Sequence, residues 1–209
     1  MRQPQCRLET LVLQGCFAKL PDEQKYAKFE EVMDAIECCG SLQHLDLSHN
    51  RLYDRGCKTL EEKLNHSQLI TLDLSANSMT IKGANILSML ITRLTTLEQL
   101  SLARNALGIR IEPIMRVIYT NLVLKDLDLA GNNLNAGGAK SVARVLLTNK
   151  TITALNLSHN LLRAKGGIAI MQALKKNVTV RRIDLGWNDM GSDGGLRSQH
   201  PAAVGRQVQ

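Results

Sequence analysis

The sequence predicts an α/β chain wound as a right-handed solenoid, a short horseshoe arc with a parallel sheet on its concave side and helices on its convex side. Three observations predict it. The pattern L-x-x-L-x-L-x-x-N-x-L occurs six times, at 42–52, 69–79, 97–107, 124–134, 152–162 and 180–190. Its asparagines, Asn50, Asn77, Asn105, Asn132, Asn160 and Asn188, step by 27, 28, 27, 28 and 28 residues, the regularity of a stacked repeat. Among 209 residues 34 are leucine while aromatics make up only 3%, so the core is built from many thin similar layers rather than from packed rings.

Residues 1–40 read as a divergent first unit. LETLVLQGC (8–16) fits the template with Cys16 in the asparagine position. Pro21 and Asp22 then start a helix over 22–39 with Tyr26, Phe29, Met33 and Ile36 as its buried stripe. Residues 41–195 hold six repeats, the last incomplete. In each, the L-x-L core alternates with period two and forms a short strand with one buried face. The asparagine stands at the strand exit, where its side chain can satisfy backbone groups in a buried turn. Six residues on come Gly56, Gly83, Gly138, Gly166 or Gly194, expected to admit a neighbouring helix too close for a side chain; repeat three has Ile111 there, with Pro113 in a first helical turn. The helices follow an i, i+4, i+8 apolar spacing, as in Gly138/Val142/Leu146. Asn121, Asn149 and Asn177 are expected to close helices in the left-handed conformation. Residues 196–209 lack apolar spacing, contain Pro201 and are expected to be a disordered tail, which leaves an end face open to association.

Composition excludes several classes. No run of about 18 apolar residues exists, and the N-terminal apolar stretch is broken by Glu9 and Gln14, so neither a membrane span nor a signal peptide is expected. Five cysteines, two of them adjacent, read as reduced thiols in a cytoplasmic protein. There is no phosphate loop, G-x-G-x-x-G, G-x-S-x-G or C-x-x-C, so no catalysis and no cofactor are expected.

Parallel strands set equivalent residues in columns about 4.8 Å apart. The residue inside each L-x-L is Asp46, Asp73, Ser101, Asp128, Asn156 or Asp184, an acidic column. Two residues upstream lie His44, Thr71, Gln99, Asp126, Ala154 and Arg182; two downstream lie small residues from Ser48 to Gly186, expected to leave an open floor. His44, Asp46, Asp73, Asp126, Asp128, Asp184 and Arg182 are the candidate partner contacts, with Trp187, the only tryptophan, at the rim. No His or Cys joins the acidic column at ligand spacing, so no metal is expected. Charge is graded: residues 1–40 carry 5 basic and 7 acidic groups, 41–120 carry 9 and 7, and 121–209 carry 12 and 5. Lys125, Lys150, Lys175, Lys176 and Arg181 fall at helix-to-strand turns and should gather on one basic edge, suited to an acidic protein surface. Nucleic acid is disfavoured, because interleaved aromatics are lacking.

The repeats resemble the leucine-rich-repeat superfamily in its ribonuclease-inhibitor-like class, over about residues 41–195 with the divergent unit before them. That resemblance implies a non-catalytic protein–protein scaffold or adaptor. It also allows a regulator of the small-GTPase-activator or nuclease-inhibitor type, or the ligand-sensing repeats of an immune receptor. LDLSHNRLYDRG followed by HSQL (66–69) is similar to the repeats of the dynein regulatory complex leucine-rich subunit, which implies a place in an axonemal assembly.

Overall fold

Each repeat forms a three-residue strand centred on the first leucine of its L-x-L, whose side chain has only one way in: Leu45, Leu72, Leu100, Leu127 and Leu155 are all buried. The computed structural model describes residues 6–191, the side chain of Arg110 excepted. The strands are β1 (Thr10–Val12), β2 (His44–Asp46), β3 (Thr71–Asp73), β4 (Gln99–Ser101), β5 (Asp126–Asp128), β6 (Ala154–Asn156) and β7 (Arg182–Asp184). All pair in parallel with their sequence neighbours, in the order β1 to β7. The intervening helices are α1 (Asp22–Glu37), α2 (Tyr53–Lys63), α3 (Ile81–Arg93), α4 (Glu112–Thr120), α5 (Asn135–Thr148) and α6 (Arg163–Leu174). Strand, crossover helix and next parallel strand repeat without exception, which is the α/β solenoid arc read from the sequence. Its core is one continuous aliphatic cluster from Phe17 to Ala173.

The strand-exit asparagines tie the layers together. Asn77 is fully buried; its Oδ1 accepts the N–H of Asn50 (3.0 Å) and Leu52 (3.3 Å), while its Nδ2 donates to the carbonyls of Leu47 (2.9 Å) and Leu74 (3.1 Å). Asn105, Asn160 and Asn188 repeat that pattern one layer on each time. No aliphatic side chain could serve these four backbone groups. Asn132 departs from the series. In the preceding unit Ala106 is not left-handed, unlike Arg51, Ser78, Asn133 and Leu161 at the same position, and its N–H bonds back to Met79 (2.8 Å); the bond from Gly108 N–H to the main-chain oxygen of Asn132 is one that Tyr53, Asn135 and Arg163 also make in their layers. The buried Asn132 Oδ1 then has no partner among the described residues.

Several expectations change. Cys16 does not take over the asparagine's work: it is exposed, and Asn50 Oδ1 accepts from the next residue, Phe17 (2.8 Å). Asn121 and Asn149 are extended (φ −70° and −64°), not left-handed. Their action is through the side chain. Asn149 Oδ1 takes the N–H of Thr151 and Ile152, and its Nδ2 reaches back to Ile118 and Asn121; Asn121 and Asn177 hold the same turn. The glycines are small for two reasons. A Cβ on Gly56 or Gly138 would meet its own preceding turn, at Leu52 (2.6 Å) or Leu134 (2.8 Å). Only at Gly83 is the obstacle the neighbouring helix alone, at Asp54 and Cys57; at Gly166 it is both Ala139 of the neighbouring helix and its own Leu162, each at 3.0 Å. Cys6 and Cys39 are not free thiols; they are disulfide-bonded, tying the entry to β1 to the end of α1 with Cα atoms 5.2 Å apart. Their separation of 33 residues hid that proximity. The sixth glycine, Gly194, and the tail 196–209 lie outside the described residues.

Candidate functional site

The concave face is an open groove of about 720 Å³ whose floor is the solvent face of all seven strands. Its two polar columns are in strict register: His44, Thr71, Gln99, Asp126, Ala154 and Arg182 in one, and Asp46, Asp73, Ser101, Asp128, Asn156 and Asp184 in the other. Six inter-strand steps of about 4.8 Å make it roughly 29 Å long.

The acidic column has a folding reason. Asp46 accepts the N–H of Ser48 (2.8 Å), Asp73 that of Ser75 (2.8 Å), Asp128 that of Ala130 (2.9 Å), Asn156 that of Ser158 (3.1 Å) and Asp184 that of Gly186 (2.8 Å). Each side chain closes the turn that leaves its strand, a task for Asp or Asn. The four aspartates use Oδ1 of a carboxylate for this bond and Asn156 its amide oxygen, while Asp128 also bonds the Asn156 side chain. The downstream column is therefore not an open floor: Ser48, Ala103 and Ser158 are buried under that turn.

The sixth and seventh strands change the charge of the face. Arg182 reaches across the small Ala154 to Asp126, Nη2 to Oδ2 3.1 Å. Both partners of this ion pair stand in the first column, so the acidic column beside it keeps its charge. His44 Nδ1 lies 2.9 Å from Thr71 Oγ1, which fixes its ring along the column. Burial raises the Asp128 carboxyl above its ordinary value, against the lowering effect of its bonds to Ala130 and Asn156; the charges of Asp126 and Asp73 raise it further.

Trp187 stands at the strand exit, in the left-handed conformation shared by His49, Ala76, Arg104, Gly131 and His159 (φ 53° to 66°). It is 63% exposed and stacks on His159, ring centroids 5.5 Å apart and planes 10° from parallel. On the opposite edge, Lys125 is held by Glu98 at 2.6 Å, whereas Lys150, Lys175, Lys176 and Arg181 are exposed and have no ion pair among the described residues. Sequence reasoning missed the aliphatic neighbours of these cations. Leu122 and Val178, each following a turn asparagine, are 79% and 85% exposed. It also missed Lys25, which is 2% exposed, bonded to Asp22 (2.6 Å) and lying against the rings of Tyr26 and Tyr53.

A family model described as Leucine Rich repeat matches residues 38–60, 120–143, 148–171 and 176–196. The chain belongs to the leucine-rich-repeat superfamily. A comparison with curated protein sequences finds no match. Among solved structures, this leucine-rich-repeat arc is similar to leiomodin-1 actin-binding site 2, at 18% identity and a TM-score of 0.57, covering 66% of this chain and 81% of that one. The tropomodulin C-terminal domain of Caenorhabditis elegans matches at 10% identity and a TM-score of 0.49, covering 81% and 83%. The TLR13–ssRNA13 complex matches at 14% and 0.41, covering 86% of this chain and 32% of that one. At these identities the likeness is one of fold. No group of three or more His, Cys, Asp or Glu able to hold a metal occurs among the described residues, and no helix there is long and apolar enough to cross a membrane.

Proposed function

We propose that this leucine-rich-repeat chain is a non-catalytic protein-binding scaffold that holds a protein partner in its concave groove. The observation that carries the reading is the pair of polar columns, in register across the strands and mounted on one continuous aliphatic core. Such a frame varies its surface residues without changing its shape, which is what selective protein binding needs and what a reaction centre does not supply. His44, Asp46, Asp73, Asp126, Asp128, Asp184 and Arg182 are the proposed groove contacts, with the Trp187–His159 stack as an aromatic anchor at the rim. The basic turn edge adds long-range attraction for an acidic surface. The compartment proposed is the cytoplasm; the Cys6–Cys39 bond removes the reduced-thiol ground for it, and its support is the likeness in fold to the leiomodin-1 actin-binding site.

A place in an axonemal assembly is the finer form of this proposal. It is supported by the sequence resemblance at residues 45–69. Part of that segment also has a folding task, since Asp54 accepts the N–H groups of Thr80 (2.7 Å) and Gly83 (2.9 Å) at the start of α3. Leiomodin-1 carries an actin-binding site on a similar fold, so actin is a second partner class to test.

The test is proximity labelling with the full chain and with Ala154→Trp, in ciliated and non-ciliated cells. Ala154 lines the groove beneath the Arg182 side chain, and a tryptophan there blocks it. Partners recruited by the groove are lost in the variant. Recovery of the same partners by both chains overturns the concave-face reading. Recovery of general cytosolic proteins without axonemal ones removes the axonemal form, and loss or retention of actin decides that class.

A further inference from the structure

We propose that the helix-to-strand edge of the last three described units is a second docking surface, separate from the groove, for an acidic amphipathic helix of a partner protein. It rests on the protein-binding reading for the class of its partner and on different residues for its geometry.

Asn121, Asn149 and Asn177 hold identical side-chain-stapled turns, so the residues around them are in register at steps of 28. The residue after each asparagine is Leu122, Lys150 or Val178. Leu122 and Val178, at 79% and 85%, are the most exposed large hydrophobic residues of the described chain. Two positions before the asparagines stand Tyr119 (48% exposed), Leu147 (44%) and Lys175; one position before the last asparagine is Lys176, and four after it is Arg181. The edge therefore interleaves exposed apolar side chains with cations that have no ion pair among the described residues. In the earlier units the position of Leu122 is filled by Ser67 and Thr95, and the patch is absent there. Singly exposed leucines are ordinary. A registered apolar–cation–apolar row across three layers is not a scatter.

The spacing selects the occupant. Leu122, Lys150 and Val178 are successive along a row in the turns between helices, which pack about 8–10 Å apart, and strands, about 4.8 Å apart, so each step lies between those spacings and Lys150 sits between the two aliphatics. An α-helix rises about 5.4 Å per turn, so its positions i, i+3/i+4 and i+7 offer steps within that range. A helix with apolar residues at i and i+7 and a carboxylate between them sets apolar on apolar and Asp or Glu on Lys150, with Lys176 and Arg181 flanking. A bilayer fits less well, because inserting Leu122 and Val178 would carry Lys150 between them into the apolar layer. A second copy of this chain offers acidic α1, whose exposed face carries Asp22, Glu30, Glu31 and Glu37 but whose large apolar side chains are turned into its own core.

The experiment uses the full chain and, as the probe, a fluorescently labelled synthetic helix with Leu at i and i+7 and Glu at i+3 and i+4. Its control has Lys in place of every Glu. The full chain binds the probe and not the control, and binding weakens as salt rises. Leu122→Ser with Val178→Ser weakens it by about tenfold or more. Lys150→Glu with Arg181→Glu weakens it similarly and removes the salt dependence. Should the serine pair soften the fold, as read by thermal unfolding, the charge-reversal pair carries the result, since those side chains are exposed. Ala154→Trp, which blocks the groove, binds the probe normally, so a failed groove and a failed edge are told apart. Equal binding of probe and control, or probe binding untouched by both pairs, overturns the proposal. So does co-sedimentation with phosphatidylserine vesicles, or self-association, that is lost in the same variants while the probe is not bound.

Discussion

Asn77→Ala destabilises this chain more than Asn132→Ala, by an amount the structure isolates. Both asparagines are fully buried at equivalent strand exits. Both donate Nδ2 to the same three kinds of carbonyl: Leu47, Leu74 and Ser75 for Asn77, and Leu102, Leu129 and Ala130 for Asn132. They differ at Oδ1. Asn77 accepts two backbone N–H groups, Asn50 and Leu52, and Asn132 accepts none among the described residues. Truncation to alanine costs the carbonyl contacts in both cases, and those losses cancel in the comparison. It strands two extra buried donors only at Asn77. A stranded buried donor costs about 1–3 kcal/mol, and the longer bond to Leu52 belongs at the low end, so the difference is about 2–4 kcal/mol. Urea unfolding followed by far-ultraviolet circular dichroism reads it. At a slope of roughly 2–3 kcal/mol per molar urea, Asn77→Ala unfolds about 1 M earlier than Asn132→Ala. Equal midpoints would show that Oδ1 acceptance contributes nothing to the ladder.

Three further outcomes follow from particular contacts. Gly83→Ala places a Cβ 2.5 Å from Asp54 Oδ1 and 2.9 Å from Cys57 Sγ, displacing the carboxylate that starts α3, and costs about 1–3 kcal/mol in thermal or urea unfolding; Gly40→Ala, with nothing within 4 Å, is the neutral control. Asp128→Asn stabilises at neutral pH: the folded carboxyl titrates above its unfolded value, so its stabilising contribution is complete below the unfolded pKa and is lost as pH rises through the folded one. Asparagine keeps the acceptor for Ala130, and the gain in melting temperature fades as pH falls below the ordinary carboxylate value; a gain that persists in acid would refute the burial argument. In native protein without reductant, Cys16 and Cys38 react with an alkylating reagent while Cys57, buried with its thiol pushed up to about 12, does not, and Cys6 and Cys39 are blocked by their bond; labelling of Cys57 before unfolding would contradict this.

The arc was legible because its rule is periodic. One strand residue in two faces the core and one asparagine per layer serves the turn, so six copies of the pattern place seven parallel strands in order, with the divergent β1 read from the same template. What escaped was aperiodic. The bond from Cys6 to Cys39 joins segments that no repeat step relates. The broken rung at Asn132 goes with Ala106, which is not left-handed and whose N–H turns back to Met79, a local change the L-x-x-N template cannot express. The columns of the concave face could be written down from register alone. The partner of Arg182 could not, because it lies two strands away and is reached only across a small Ala154.

The same distinction bears on which surface residues carry binding. An aspartate inside L-x-L is required by its turn, as the bonds to Ser48, Ser75, Ala130 and Gly186 show, so its presence says little about a partner. Leu122 and Val178 are required by nothing in the fold: the stapled turns around them are made by Asn121 and Asn177, and serine and threonine fill the matching position elsewhere. Holding a large aliphatic side chain almost fully in water forgoes about 1.5–3 kcal/mol that burial would return. Two such side chains in register on either side of a lysine therefore say more about an absent partner than the whole acidic column does. The salt dependence and the serine pair at that edge are where the binding reading of this chain is most exposed to failure.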